Sequence, residues 1–394
     1  MKLRLLDLLV CPYCRHPFDF VEFIPRRTTA EVNEGLLACP SCGRGYPIIN
    51  GIPRVLPDEL VHIVRAYHGD FFQRFRNRLP TDCGDCEATR HDRWWQDEHR
   101  TLRSYSYQWR KFNEMLPHWK QVFLDSIRPV EPAFFHGKLG LDAGCGFGRS
   151  LYYAASYGAE IVGMDLSEAV ESAMANTRHL ANAHVVQADI FHPPLRQRSL
   201  DFVYSIGVLH HLPDPNRGFF TLSQLLKPDA PIVIWVYSRG RGRQIALFTL
   251  ARALSTRLPL RVLDALCLAL AAGQWVLWIL PYRLQSRFEA TRGLARRLPF
   301  TLYAAYSFRV LHADWFDGLS VPLVNYYRRE EIVGWFREAN LERVRIDRDW
   351  GGRALGYAPW SVTTLIPASG NKADQVDRER GDPPPSRGSS PARI

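Results

Sequence analysis

A cleaved apolar leader is not expected at the start of this sequence. The run Leu3 to Val10 carries Arg4 and Asp7 and passes straight into Cys11. A secretory segment is therefore not expected, and neither is the oxidising compartment in which disulfides persist. Lysine is absent between Arg239 and Phe300, and acids there are reduced to Asp264 and Glu289, although eleven arginines crowd the same stretch. A glycine is missing at position 149, where Arg149 stands. The dinucleotide fingerprint G-x-G-x-x-G requires one there, so a pyrophosphate cofactor is excluded. The pair Cys83/Cys86 lacks a second C-x-x-C or a convincing histidine partner close by. A lone pair cannot close a four-ligand metal site, and these two read as surface-loop thiols.

What is present centres on residues 138–165, KLGLDAGCGFGRSLYYAASYGAEIVGMD. An apolar strand (Leu139 to Ala143) enters a turn containing Gly144, Gly146 and Gly148. A helix from Arg149 to Ala155 follows, then a second strand (Ile161 to Met164) that stops on Asp165. Such a βαβ half-unit gathers a close-approach backbone, a helix N-terminus and a strand-end carboxylate around one ligand. Asp142 ends the first strand; it would repel a pyrophosphate and suits a cationic group. With Asp142 and the three glycines, the D-x-G-x-G-x-G pattern resembles motif I of the class I S-adenosylmethionine-dependent methyltransferases.

At 394 residues and 46% hydrophobic content, the chain has room for one large or two to three smaller domains. Residues 1–57 are expected to form a separate unit. CPYC at 11–14 and CPSC at 39–42 present Cys11, Cys14, Cys39 and Cys42 to one tetrahedral zinc, with strands near 18–24 and 35–38. The following GRGYPIINGIPRVLP resembles the end of Trm112-like zinc ribbons. Residues 58–137 read as a helical linker. The resemblance places it over the cofactor, where Trp94, Trp95, Tyr105, Tyr107 and Trp109 either line that side or pack the segment on the core.

Further strands are expected at 184–191, which contains Asp189, at 200–206 and at 231–237. The loop GVLHHLPDP (207–215) stands between the last two. Alternating strands and helices argue a doubly wound parallel sheet with ligands at the carboxyl ends of its strands. The pattern through this region is similar to the small-molecule methyltransferase group that includes the quinone-biosynthesis enzymes. One departure is the turn before the fifth strand, where Lys227, Pro228, Asp229 and Ala230 replace the usual K-P-G-G. A helix at 329–339 and strands at 341–347 and 361–366 close the sheet. The expected fold is thus α/β: a doubly wound, mostly parallel, seven-stranded Rossmann-like sheet over 138–366. It is interrupted by a helical insertion at 240–327 and followed by a tail, 367–394, too polar to order itself.

The resemblance implies S-adenosylmethionine as cofactor. Asp142 and the glycine loop would hold its methionine end, and Asp165 would accept the ribose hydroxyls. Asp189, with the backbone of Ile190, would take the adenine amine. His211, ahead of His210, is the base an oxygen acceptor requires. His312, Asp314, Trp315, Tyr326 and Tyr327 are candidates for the acceptor wall. The function read from this is methyl transfer to a small-molecule or lipid-linked acceptor.

Within the insertion, Pro259 and Pro281 bracket an apolar stretch whose uncharged run is Ala265 to Tyr282. Three arrangements compete: a cap over the pocket, helices lying on an anionic membrane surface through 240–300, and a membrane span. The setting expected is the cytoplasm, at the membrane surface if the insertion docks there. RNA methylation is the alternative, disfavoured because no N/D-P-P-Y/F motif follows the fourth strand, and nucleic acid is not expected as a partner. A non-catalytic scaffold is disfavoured because Asp142, Asp165 and Asp189 are all present.

Overall fold

Among the described residues, eleven strands form one mixed sheet. The structure, a computed structural model, describes residues 1–24, 31–79, 93–240, 242–295, 298–299, 301–347 and 352–359. Helix α1 (Leu3–Leu8) precedes an antiparallel meander of β1 (Asp19–Glu22), β2 (Gly35–Ala38), β3 (Gly45–Ile49) and β4 (Ile52–Val55). The β3–β4 hairpin turns on Asn50 and Gly51, both at positive φ (54° and 76°), the Asn-Gly pair that a tight hairpin favours. The remaining strands are β5 (Leu139–Ala143), β6 (Glu160–Asp165), β7 (Ala183–Ala188), β8 (Phe202–Ile206), β9 (Pro231–Trp235), β10 (Glu342–Ile346) and β11 (Arg353–Tyr357).

Across the sheet the order is β1-β2-β3-β4-β7-β6-β5-β8-β9-β11-β10. From β4 to β9 neighbours run parallel, and β11 lies antiparallel between β9 and β10. The seven strands from β7 to β10 are the Rossmann-like sheet expected from the motifs. Residues 1–57, in contrast, do not stand apart. Arg54 and Val55 of β4 pair with Gln187 and Ala188 of β7, so the cysteine-bearing meander extends the same sheet. The parallel strands read as apolar runs because helices cover both faces; all six residues of β7 are buried.

The closing strand differs from expectation. The stretch 361–366 lies outside the described residues, and the strand beside β9 is Arg353–Tyr357. Its RALGY sequence follows Gly352 and contains Gly356, and glycine weakens a strand pattern. Gly356 is needed there, since a Cβ would fall 2.4 Å from the Phe336 ring. Cys83, Cys86 and the tail 367–394 also lie outside the described residues.

Helices α2 (Val61–Tyr67), α3 (Gly69–Arg74), α4 (Arg93–Lys111) and α5 (Trp119–Ile127) lead into β5. Helices α6 (Arg149–Ser156), α7 (Ala169–Thr177) and α8 (Pro215–Ser223) connect the parallel strands. The start of α8 is specified locally: Pro215 occupies its first turn and the Asp214 side chain accepts the Arg217 N–H at 3.0 Å. In the turn before β9, Asp229 itself takes φ +63°, and Arg343 pairs with its carboxylate. Asp tolerates this left-handed conformation better than most residues, which is how the chain manages without the glycine.

The insertion carries α9 (Gly242–Ser255), α10 (Leu260–Gln274), α11 (Leu280–Gln285), α12 (Glu289–Ala295) and α13 (Phe308–Ser320). A π turn over Trp275–Ile279 joins α10 to α11 in one unbroken helix of 26 residues. The chain leaves the sheet and returns at one point, where Arg239 N–H donates to the Tyr327 carbonyl at 3.0 Å and Tyr327 N–H to that of Tyr237 at 2.9 Å. Helix α14 (Arg329–Glu338) then leads to β10.

Candidate functional site

The strand order reverses between β5 and β8, and a cavity opens at the carboxyl ends of the strands there, as doubly wound sheets require. It holds about 1210 Å³ of empty space, counted to its open mouth. Asp142, Asp165 and Asp189, from the ends of β5, β6 and β7, all reach it, as do Gly144, Gly146 and Ile190. Helix α4 covers it with Glu98, Thr101, Leu102, Tyr105 and Trp109. Tyr107 points the other way and donates to Asp264 at 3.1 Å. The side chains of Trp94 and Trp95 lie outside the described residues.

The glycine turn is tight for a reason visible in its surroundings. Gly144 has φ +84°, and a Cβ there would sit 2.3 Å from Val208. Gly148, φ +85°, caps the N-terminus of α6. Gly146 N–H donates to Asp165 Oδ2 at 2.9 Å. Asp165 Oδ1 takes two more donors, the Ser167 N–H at 2.8 Å and hydroxyl at 2.6 Å, so its plane is held firmly. Asp189 accepts the Phe191 N–H at 3.0 Å and meets His192 Nδ1 at 2.8 Å.

Asp142 is the unusual group. It is 2% exposed, its Oδ2 has no partner at full hydrogen-bond geometry, and only the buried Tyr204 hydroxyl and the Arg149 guanidinium nearby favour its ionised form. Burial, then the neighbouring Asp165 carboxylate, push its pKa up to about 8. Burial also raises that of Asp165, against the donors from Ser167 and Gly146. Two crowded carboxylates, one of them not fully hydrogen-bonded, form a socket for a cation or a strong donor.

Across the cavity stand His211, Trp235, Tyr237 and Asp317. His211 Nδ1 lies 2.8 Å from the Leu323 carbonyl and must donate to it, which leaves Nε2 as the proton-accepting nitrogen. Burial lowers its pKa to about 4, with Asp317 opposing, so the ring is neutral at pH 7. His210 does not reach the cavity. Its ring is fully buried against Tyr237, centroids 3.9 Å apart, and neither ring nitrogen has a partner.

None of the expected wall residues from the insertion lines the cavity. His312 meets Asp264, Tyr303 donates to Asp314 at 2.8 Å, and Trp315 donates to Gln274 at 2.8 Å. These contacts hold the insertion together. Tyr326 supports the wall from behind, stacked on Tyr237 with centroids 5.7 Å apart. The residue that does line the cavity is Asp317, one helical turn beyond Asp314, fixed by Gln108 at 3.3 Å and the Tyr237 hydroxyl at 3.2 Å. Sequence alone could not separate 314 from 317, because both are acids on one helix and only the packing angle of α13 decides between them.

Two clusters lie outside the cavity. The thiols of Cys11, Cys14, Cys39 and Cys42 lie within 4.8 Å of one another, with Cys11–Cys42 at 3.6 Å and Cys14–Cys39 at 3.3 Å. Four sulfurs around a tetrahedral zinc at about 2.3 Å would be roughly 3.8 Å apart, so the set fits with little rearrangement. The second cluster, His68, Glu168 and Glu171, already contains a cation: the fully buried Arg54. Its guanidinium reaches Gln187 at 2.8 Å and Glu168 at 3.4 Å, and pairs with Glu171. Gln187 in turn donates to the Leu166 carbonyl at 2.9 Å, beside Asp165.

This sheet order, with a carboxylate at the ends of three successive strands beside the switch point, is that of a Rossmann-like methyltransferase fold. Residues 141–234 match the model for the methyltransferase domain, and residues 2–51 match that for Trm112p-like proteins. The chain therefore carries a methyltransferase domain behind a Trm112p-like segment. An uncharacterized protein of Synechococcus sp. is 36% identical over 109 residues, which cover 26% of each chain. A ubiquinone biosynthesis O-methyltransferase of Coxiella burnetii is 27% identical over 143 residues, 33% of this chain and 61% of that protein. Among solved structures, an S-adenosylmethionine dependent methyltransferase from Mesorhizobium loti shares 33% identity over 26% of this chain and 48% of that one, with a TM-score of 0.25. The similarity thus spans from about a quarter to three fifths of the length of these relatives.

Proposed function

We propose that this protein transfers a methyl group from S-adenosylmethionine to a small-molecule or lipid-linked acceptor. One observation carries the reading: the buried carboxyl of Asp142, which no full hydrogen bond satisfies, lines the cavity beside the glycine turn together with the strand-end carboxylates Asp165 and Asp189. An α-ammonium group would complete that carboxyl's hydrogen bonding and offset the repulsion from Asp165. In this reading Asp142 with Gly144, Gly146 and Gly148 holds the amino-acid end of the cofactor. Asp165 accepts the ribose hydroxyls, and Asp189 with Ile190 takes the adenine. When bound, the cofactor supplies an electrophilic sulfonium methyl group.

The chain's own residues do the rest. Tyr105, Trp109, Trp235 and Tyr237 exclude water and confine the acceptor. His211 Nε2 takes the acceptor's proton, and Asp317 steadies the imidazolium that forms. His210 packs behind the wall. Calorimetric titration with S-adenosylmethionine, followed by a metabolite and lipid screen with labelled methyl donor, tests the proposal. Binding at one site and label in a small or lipid product are expected; a protein that binds no cofactor overturns it.

The state of Asp142 sets a pH dependence. A carboxyl raised to about 8 keeps its proton in the empty site at neutral pH. An ammonium group binds the ionised form, so binding must expel that proton. Affinity is expected to rise about tenfold per unit between roughly pH 6 and 8 and then level off. Calorimetry in buffers of different ionisation enthalpy should register the released proton, and Asp142→Asn should flatten the profile.

The four thiols are proposed to hold one structural zinc. Metal analysis of purified protein is expected to find about one zinc per chain. Because the meander continues into β4 and the central sheet, chelation should lower the melting temperature of the whole protein rather than melt a detached unit. A single unchanged transition after metal removal would count against it. The lipid-linked class of acceptor, met at a membrane surface, is supported by the exposed face of the insertion.

A further inference from the structure

The long helix of the insertion is exposed in an unusual way. Its 26 residues, with a mean hydropathy of 1.8 over the most apolar window, satisfy the length and composition of a membrane span, yet only 22% of that window is buried. The buried positions, Leu263, Cys267, Ala271, Gln274 and Ile279, form one narrow stripe. That stripe packs on α13 and on the end of α4 through Phe112, Phe316 and Leu319. The only acid between Leu260 and Gln285, Asp264, turns inward to Lys111, His312 and Tyr107. Apart from Arg261 at its start, the outward face is apolar: Val276 is 59% exposed and Leu277 63%, with Leu266 and Leu280 also exposed. Helix α9, which packs on α13 as α10 does, adds the exposed Leu250 (67%) and Leu254. So many large apolar side chains exposed on helices of one insertion are far beyond the scattered exposed leucines of an ordinary surface.

The charge around this face selects what covers it. Arg257 and Arg261 flank the start of α10, and Arg287 and Arg292 follow α11; all four are exposed, and none forms an ion pair with a described residue. An apolar ridge ringed by free guanidinium groups complements one kind of surface, a bilayer with anionic headgroups. Spanning is incompatible with the packing. The inner stripe lies along α13, which carries Arg309, His312, Asp314 and Asp317, and insertion of the pair would drag those groups into hydrocarbon.

We infer that α9, α10 and α11 form a docking face that lies flat on an anionic bilayer, apolar side chains in the acyl boundary and arginines among the headgroups. The geometry also joins this face to the cavity: α13 backs α10 on one side and delivers Asp317 to the cavity on the other. An acceptor with a lipid tail would therefore be met where it resides; this consequence alone rests on the lipid-linked reading above.

Flotation of the full-length protein with vesicles tests the inference. Vesicles of phosphatidylcholine with phosphatidylglycerol should carry the protein upward, and phosphatidylcholine alone should carry little. Apparent affinity should fall about tenfold or more as ionic strength rises from about 0.05 to about 0.3 M. The double variant Leu250→Glu/Leu277→Glu changes only exposed positions and should lose flotation while keeping the wild-type melting temperature. Cofactor titration of the same samples reports separately on the methyl-donor reading. The inference is overturned by wild type that stays at the bottom, by a double variant that still floats, or by equal flotation without anionic lipid. Retention on membranes after alkaline carbonate would show a span instead. A dimer lost in the double variant, with no flotation, would assign the face to a second copy of the chain.

Discussion

Asp165→Ala is expected to weaken S-adenosylmethionine binding by about 100-fold or more, roughly 3 kcal/mol. The carboxylate does two jobs that alanine cannot. It offers its oxygens to the cavity, and it fixes the loop by accepting from Gly146 and from both donors of Ser167. Calorimetry measures the first effect directly. Loss of affinity alone could mean misfolding, so a second measurement separates the two. Removing one of two crowded buried carboxylates takes away the lesser cause of the raised Asp142 pKa, which should fall from about 8 while burial, the larger cause, still holds it above the ordinary carboxylate range. The unliganded variant should keep one cooperative melting transition, lowered modestly because the Gly146 and Ser167 donors lose their acceptor; loss of that transition would mean misfolding. An affinity within a few-fold of wild type would remove Asp165 from the cofactor site.

Arg54→Ala is expected to cost about 3–5 kcal/mol of stability, because it strands buried acid without its cation. Arg54 and Glu168 are 0% and 1% exposed at the side chain, and the guanidinium also meets Gln187 and Glu171. Arg54→Lys should recover little of this. One ammonium group cannot address three acceptors spread around a planar fork. Denaturant unfolding monitored through tryptophan fluorescence reads the loss. A cost under about 1 kcal/mol would mean that water replaces the guanidinium without penalty. Because Gln187 bonds the Leu166 carbonyl next to Asp165, a modest loss of cofactor affinity should accompany the destabilisation.

The two substitutions sit at opposite ends of what could be read without coordinates. The place of Asp165 at the cavity was legible because it is set locally: a strand, a glycine turn and an acid follow one another within 28 residues, and short-range geometry brings them together. Arg54 carried no signal. Its partners are more than a hundred positions away, and an arginine in a short strand reads as an exposed edge until β4 is seen to pair with β7. The same pairing explains why the cysteine-bearing segment looked independent. Its zinc-type motif closes on itself, whereas its attachment is a parallel strand contact with no sequence signature of its own.

His210 and His211 show a finer limit. Adjacent residues in a short turn point in different directions, and only the positions of Leu323 and Tyr237 decide that one ring faces the cavity and the other is sealed behind it. The insertion shows the same limit on a larger scale. Its composition allowed a cap, a surface helix or a span, three arrangements that differ in which face of one helix is covered.

Local order, then, belonged to the sequence: the glycine turn, the strand-end carboxylates, the paired cysteines and the length of the apolar helix all follow from residues close together along the chain. Only the tertiary structure decided what meets across distance. It joined β4 to the central sheet, chose Asp317 over Asp314 for the cavity, buried Arg54 among its acids and left the apolar side of α10 uncovered. Each of these depends on the packing of remote segments, and packing energy is a property of surfaces brought together, which no short stretch of residues contains.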